Sequence, residues 1–208
     1  MEDLERRWAA LAGDSPAAAE AGAQLLARWR EPHRHYHSDG HLAAVLDAVD
    51  ELADAASDPD AVRFAAWFHD AVYAGTPGED EAASARLARE VLTGLGRPAA
   101  QVDEVERLVL LTAGHDPAPG DGNGAVLCDA DLAVLAGPPS DYAAYAAAVR
   151  DDYAHVSDAD FAAGRAAVLE GLLDRPALYR TETGHRRWED PARHNLETEL
   201  VLLRASGS

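Results

Sequence analysis

The stretch Trp67-Phe68-His69-Asp70-Ala71-Val72-Tyr73 sets a histidine beside an aspartate where an apolar helical run ends. Adjacent helical residues point about 100° apart, so the pair can share one ion only where a helix bends or stops, and further ligands must come from distant sequence. Two segments offer them. His41 opens an apolar helix through Leu42, Val45, Leu46 and Val49, and Asp131 lies in Cys128-Asp129-Ala130-Asp131-Leu132. Read together, the pattern is His…His-Asp…Asp. Neutral imidazoles with carboxylates suit Mn, Fe, Co, Ni, Zn or Mg and do not suit thiolate-seeking metals, so Cys128 is not required. Residues 125 to 136 form an apolar run broken only by Asp129 and Asp131. Buried aspartates are expensive unless they are paired, hydrogen-bonded or bound to metal.

Other groups with chemical reach stand nearby in sequence. Glu31 to His41 holds four histidines and one arginine in eleven residues and is too polar and turn-rich for a helix interior. His115 follows an apolar helix, inside the irregular segment from Gly114 to Gly124, and long irregular segments are functional or mobile.

Four segments, spread over residues 34 to 135, resemble the HD-domain metal-dependent phosphohydrolases, most closely a small bacterial branch. They are Arg34-His35-Tyr36-His37 with His41, Trp67 to Tyr73, and Asp129-Ala130-Asp131-Leu132-Ala133-Val134-Leu135; weaker similarity lies at Glu81 with Ser84-Ala85, and at Ala192-Arg193 with Asn195-Leu196. The resemblance implies an all-α, HD-domain-like helical bundle and a divalent metal held by His41, His69, Asp70 and Asp131. Asp131 is preferred to Asp129 because the family's aspartate precedes an apolar residue in Ala-Asp-Leu fashion; Asp129 is then read as a partner that fixes a ligand histidine. Such an ion polarises a phosphoryl oxygen and lowers the pKa of a bound water for in-line attack.

The implied activity is hydrolysis of a small phosphate ester, a phosphorylated metabolite or nucleotide. Asp70, Glu81 and His115 are the catalytic candidates, with Asp80 as an alternative to Glu81 for orienting or deprotonating the water. His37 and His115 suit substrate contacts, a second metal or protonation of the leaving group, since histidine titrates near working pH. Arg34 is suited to bidentate phosphate binding, and Arg193 with Asn195 is expected in the same cleft. Two other readings stay open: a di-iron HD-domain oxygenase, and a non-catalytic ligand-binding module. His33 and His35 are read as solvated loop residues, and Tyr36, Trp67, Tyr73 and Tyr153 as aromatic core or cleft wall.

The elements that must position these groups are helical throughout. Leu4, Trp8 and Leu11 recur at helical spacing up to Gly13, and Ser15-Pro16 starts a second helix to about Arg30. Asp58-Pro59 starts the helix that ends at His69 to Tyr73, and Thr76 to Glu79 fits a capping box before the next. Pro98, Ser140, Ser157 and Pro191 mark the remaining starts. No run of alternating β-branched residues reaches strand length, and no glycine fingerprint or repeat occurs.

With 208 residues, 48% hydrophobic and 26% charged, the chain is read as one globular domain over 1–208: a core of about 34–136 with helices 1–30 and 140–205 packed on it. The 37 acidic and 18 basic residues give a net charge of -19, which repels nucleic-acid polymers and anionic membranes. Small anionic substrates are not excluded, because a dication and a few arginines reverse the field locally. One cysteine, no signal-like N-terminus and no long apolar run lead to the expectation of a cytoplasmic protein. Ala205 to Ser208 reads as a frayed tail, and a homodimer is compatible with the sequence.

Overall fold

The computed structural model describes residues 2–76 and 78–206 and is an all-α helical bundle, with no strand among the described residues. Gly207 and Ser208 of the expected tail, and Pro77 of the expected capping box, lie outside them.

α1 (Glu2–Ala12) stops at Gly13, whose φ of +92° suits a residue without Cβ. Ser15 caps α2 (Pro16–Trp29) by accepting a 3.1 Å bond from the Ala18 amide. Trp8 lies so close to α2 that a Cβ on Gly22 would stand 2.4 Å from its ring, and its indole donates to the Ala18 carbonyl at 2.7 Å. α3 (Asp39–Leu52) carries His41 in its first turn. α4 (Pro59–Phe68), capped by Asp58, ends where an apolar face is fully covered on all sides: Phe64, Trp67 and Phe68 are all buried. α5 (Glu79–Gly94) and α6 (Ala99–Leu111) pack as a pair beside α4. α7 (Gly122–Asp131) passes into a 3-10 turn at Leu132–Ala136, and α8 (Pro139–Asp152), α9 (Asp158–Leu173) and α10 (Glu182–Ser206) complete the chain.

Several helix starts differ from expectation, each because a backbone donor found another partner. α5 begins at the Gly78 cap, not at Thr76, since Asp80 accepts the Ala74 and Thr76 amides and folds that segment into a turn. α7 begins at Gly122, inside the segment read as irregular, because Asp121 accepts the Gly124 amide at 2.9 Å. Ser140 is within the first turn of α8, which Pro139 opens. Pro191 lies inside α10 and does not open it. That helix starts earlier because Thr181 accepts the Gly184 amide at 3.0 Å, and the long helix tolerates one missing N–H.

Buried side chains gather in two clusters. The first draws on α1 to α7 and includes Trp8, Trp29, Leu42, Phe64, Trp67 and Leu108; the second draws on the 3-10 turn, α8, α9 and α10 around Leu135, Tyr142, Leu169, Tyr179 and Leu196. Trp188 packs against both. α3, α4 and α7 meet one another inside the first cluster, which brings the start of α3, the end of α4 and the end of α7 to one place. No helix among the described residues is long and apolar enough to cross a membrane.

Candidate metal centre

His69 is the residue that closes α4, and Asp70 begins the turn beyond it, so the helix stops where two adjacent side chains must face one point. The stop is held by Arg34. Its guanidinium, with no side-chain exposure, donates to the carbonyls of Asp70 (2.7 Å), Ala71 (3.3 Å) and His37 (3.2 Å) and to Glu31 (3.1 Å), with the rings of Trp29 and Tyr73 5.6 and 5.4 Å away. Carbonyls past a helix end have no partner within the helix, and a cation satisfies them well. Arg34 is therefore a clamp on the His-Asp turn and is not presented to a phosphate.

His41, His69 and Asp131 bring one donor atom each to within 4.8 Å of the others. His41 Nε2 stands 3.2 Å from His69 Nε2 and 3.0 Å from Asp131 Oδ1, and His69 Nε2 stands 3.5 Å from Asp131 Oδ1. Asp70, the fourth expected ligand, is not part of this mutual group: its Oδ2 lies 3.2 Å from His69 Nε2, on the outer side of that ring. Ligands bound at about 2.0–2.1 Å are about 2.9 Å apart along an octahedral edge and about 3.4 Å apart along a tetrahedral one. These separations fall in that range, and the donor set is the one small divalent ions prefer. The imidazole orientation agrees: His69 Nδ1 lies 2.8 Å from the Ala66 carbonyl, which places a proton on Nδ1 and leaves Nε2 toward the cluster.

The electrostatics also favour a cation. Burial works against a charged His69, but Asp70 and Asp131 outweigh it and raise its pKa well above the usual imidazole value. Burial pushes Asp70 and Asp131 up, and His69, with His41 and His115 at Asp131, reverses this and holds both carboxyls below their ordinary range. Burial keeps His41 below its usual value despite Asp131, so its lone pair is available. A buried group that draws a proton this strongly draws a metal ion for the same reason.

Asp129 serves a different end of the molecule. It is fully buried and accepts from the amides of Arg180 (2.8 Å) and Thr181 (2.7 Å) and from the Thr181 hydroxyl (2.7 Å), and it touches no ligand histidine. Three donors from the segment before α10 occupy its oxygens, so the expected role of fixing a histidine does not hold.

His115 and His37 flank the cluster. His115 adopts a φ of +46°, unusual for a side chain with Cβ, and its Nε2 lies 2.7 Å from Asp131 Oδ2. The conformation is held by Arg175, which donates to the carbonyls of His115 and Gly114 at 2.8 Å each. His37 Nδ1 lies 2.7 Å from Asp152 Oδ2, and its ring stacks on Tyr73 with centroids 4.2 Å apart. Asp152 also accepts from the backbone amides of His35, Tyr36 and His37. Burial pushes its carboxyl up, but the His37 ring and these amides bring it down to about 2. Nothing in the local sequence separates Asp152 from its exposed neighbour Asp151, and Arg175 likewise carries no motif.

A cleft of about 160 Å³ is bordered by His37, Asp70, Tyr73, Glu81, His115 and Asp131. Glu81 Oε2 accepts the Gly78 amide at 2.5 Å, which caps α5 and leaves the other oxygen uncommitted. A second cavity of about 450 Å³ meets the first at His37, His115 and Asp131 and extends to Arg165 and Arg175. Arg193 and Asn195 border neither. Arg193 donates to Glu189 and to the Leu173 and Arg175 carbonyls, and Asn195 to the carbonyls of Leu135 and Gly137. Their expected place in the cleft is corrected by geometry: both face backbone carbonyls left open by the 3-10 turn and the end of α9.

No model of a known protein family matches the chain, and no curated protein matches it.

Proposed function

We propose that this chain is a metal-dependent hydrolase of small phosphate esters, of the HD-domain kind its motifs resemble. The observation that carries the reading is the meeting of His41, His69 and Asp131 at donor separations of 3.0 to 3.5 Å, with Asp70 beside His69 and with Asp70 and Asp131 bordering the cleft. When bound there, a divalent ion supplies Lewis acidity toward a phosphoryl oxygen and a water acidic enough to ionise near neutral pH. The chain's own residues do the rest. His41 and His69 present Nε2 as donors, and Asp70 and Asp131 supply the negative charge that holds a dication. His37, oriented by Asp152 through Nδ1, borders the cleft and can hand a proton to a departing alkoxide. The free oxygen of Glu81 borders the same space and can accept a proton from the attacking water. Arg175 fixes the strained backbone of His115 and so places its imidazole against Asp131.

The test is metal analysis together with a metal-by-substrate matrix of phosphate release, run on wild-type and Asp131→Ala protein. Release that depends on added metal and disappears in the variant is expected; full activity surviving His69→Ala with Asp70→Ala would sink the proposal.

One observation favours a second reading. The two oxygens of Asp131 face opposite ways, Oδ1 to His41 and His69, Oδ2 to His115. A carboxylate so placed can bridge two ions, as a di-iron oxygenase requires. Near-ultraviolet and visible absorption with two irons per chain after aerobic purification would select it over the hydrolase.

A further inference from the structure

We infer that the alcohol portion of the substrate carries an apolar aromatic ring, seated in a side cavity between α8 and α9. The phosphate end of this inference rests on the hydrolase reading above; the ring end does not.

The cavity measures about 420 Å³ and is walled by Tyr145, Val149, Tyr153, Phe161, Arg165 and Val168. Tyr36, His37, Tyr145, Arg165 and Val168 border both this cavity and the one that reaches Asp131, so the two adjoin. The walls present ring faces and edges: Tyr153 and Phe161 lie 6.1 Å apart at 45°, and Tyr36 and Tyr145 4.7 Å apart at 73°. Aromatic ligands pack well against such surfaces. Several polar groups of the wall are already engaged, His37 Nδ1 with Asp152 and the Tyr145 hydroxyl with Arg165, and Tyr36 and Tyr153 add one hydroxyl each. Asp160 is exposed at the rim, and Arg165 has Nε and Nη2 taken by Glu199 and the Tyr145 hydroxyl, with Nη1 left over. A nucleobase or sugar would bring more donors and acceptors than the groups left over can meet, at a desolvation penalty. A ring with few polar atoms meets no such penalty, and one acceptor near the phosphate suffices for Arg165 Nη1.

Two features of α9 point the same way. Val168 is 55% exposed, one of four large exposed hydrophobic residues among the described residues, yet it sits on the cavity wall. Gly164, one turn before it on the same wall, has nothing within 4 Å of where a Cβ would stand. The helix has left room where a side chain would otherwise fill.

That room provides the test. Leucine at 164 is a better helix former than glycine and meets no backbone, so Gly164→Leu fills the cavity in a folded protein, which thermal melting verifies. Manganese-loaded wild-type and variant protein are titrated calorimetrically with naphthylmethylphosphonate, methylphosphonate and a nucleoside monophosphate. The naphthyl compound is expected to bind wild type roughly thirtyfold more tightly than methylphosphonate, and the variant by no more than about threefold. Equal affinities in wild type, a preference that survives the filled cavity, or a nucleoside monophosphate binding as tightly as the naphthyl compound would each overturn the inference. If the selective binding holds but naphthyl phosphate is never hydrolysed, the hydrolase reading fails and the ring site stands.

Discussion

α7 ends with two aspartates that do opposite things, Asp129 fully buried and Asp131 half-buried at the edge of the cleft. Asp129 turns away from the cleft to three fixed donors, two of them backbone amides, and ties down the start of α10. Asp131, on the other side of the helix, faces only imidazoles. Their titration diverges accordingly: burial leaves Asp129 raised despite its hydrogen bonds, whereas the histidines hold Asp131 well below its usual range. Amide donors cannot leave, so Asp129 is a structural tie. Imidazole nitrogens can exchange a proton for a metal, so Asp131 remains open to a ligand. The residue type is the same for both, and exposure to the cleft together with the partner's chemistry sets the role.

The sharpest way to break this contrast is to remove each carboxylate. Asp131→Ala should weaken metal retention by more than about a hundredfold and abolish metal-dependent turnover, with little loss of fold. Asp129→Ala should leave the Arg180 and Thr181 donors buried and unpaired, a loss of about 3 kcal/mol, and lower the melting temperature by roughly 6–12 °C while metal stoichiometry is retained. Metal analysis and calorimetric melting on the same two samples decide it; a metal-poor Asp129→Ala or a metal-replete Asp131→Ala would reverse the assignment.

Arg34→Met comes next in size. It strips the Asp70, Ala71 and His37 carbonyls of their shared donor, so the turn that aims Asp70 should loosen. Expected are a stability loss of about 2 kcal/mol by urea denaturation and a metal affinity lower by about tenfold. A mutant with normal metal binding and stability but a raised KM would return Arg34 to the phosphate.

Asp152 extends the comparison to pH. Its folded-state carboxyl is held down to about 2 by the His37 ring and the amides of His35 and His37, below the ordinary value near 3.9, so the stabilisation is present above about pH 4 and is lost as pH falls toward 2. Asp152→Asn should therefore be less stable than wild type by about 2 kcal/mol at pH 7, with the gap beginning to close below pH 4. Denaturation series at pH 7, 5, 4 and 3 measure it, and a constant gap would count against the carboxylate as the source.

The helices and the meeting of His41, His69 and Asp131 were legible because both leave local marks: caps such as Ser15, Asp58 and Ser157, apolar spacing, and ligand motifs in known order. The arginines and asparagine were not. Arg34, Arg193 and Asn195 sit in motif-like company, yet their partners are carbonyls released where α4, α9 and the 3-10 turn end, and which carbonyls lack partners is decided by tertiary packing. Asp152 and Arg175 act on residues far away in sequence, at separations of 115 and 60 positions, so no window contains both ends of the interaction.

The smallest effect on stability concerns Glu81, which borders the cleft with Asp70, Asp80 and Asp131. Glu81 shares its work between the two kinds that Asp129 and Asp131 represent: one oxygen caps Gly78 and the other borders the cavity. Glu81→Gln separates them, because an amide oxygen still accepts the Gly78 amide while the group can no longer take a proton. Stability should stay within about 0.5 kcal/mol of wild type. If the free oxygen relays the water's proton, kcat falls by about a hundredfold with KM nearly constant. A kcat unchanged in a protein of unchanged stability would place Glu81 with Asp129, as a residue that only holds backbone, and would pass the proton to another group bordering the cleft, Asp80 or an imidazole.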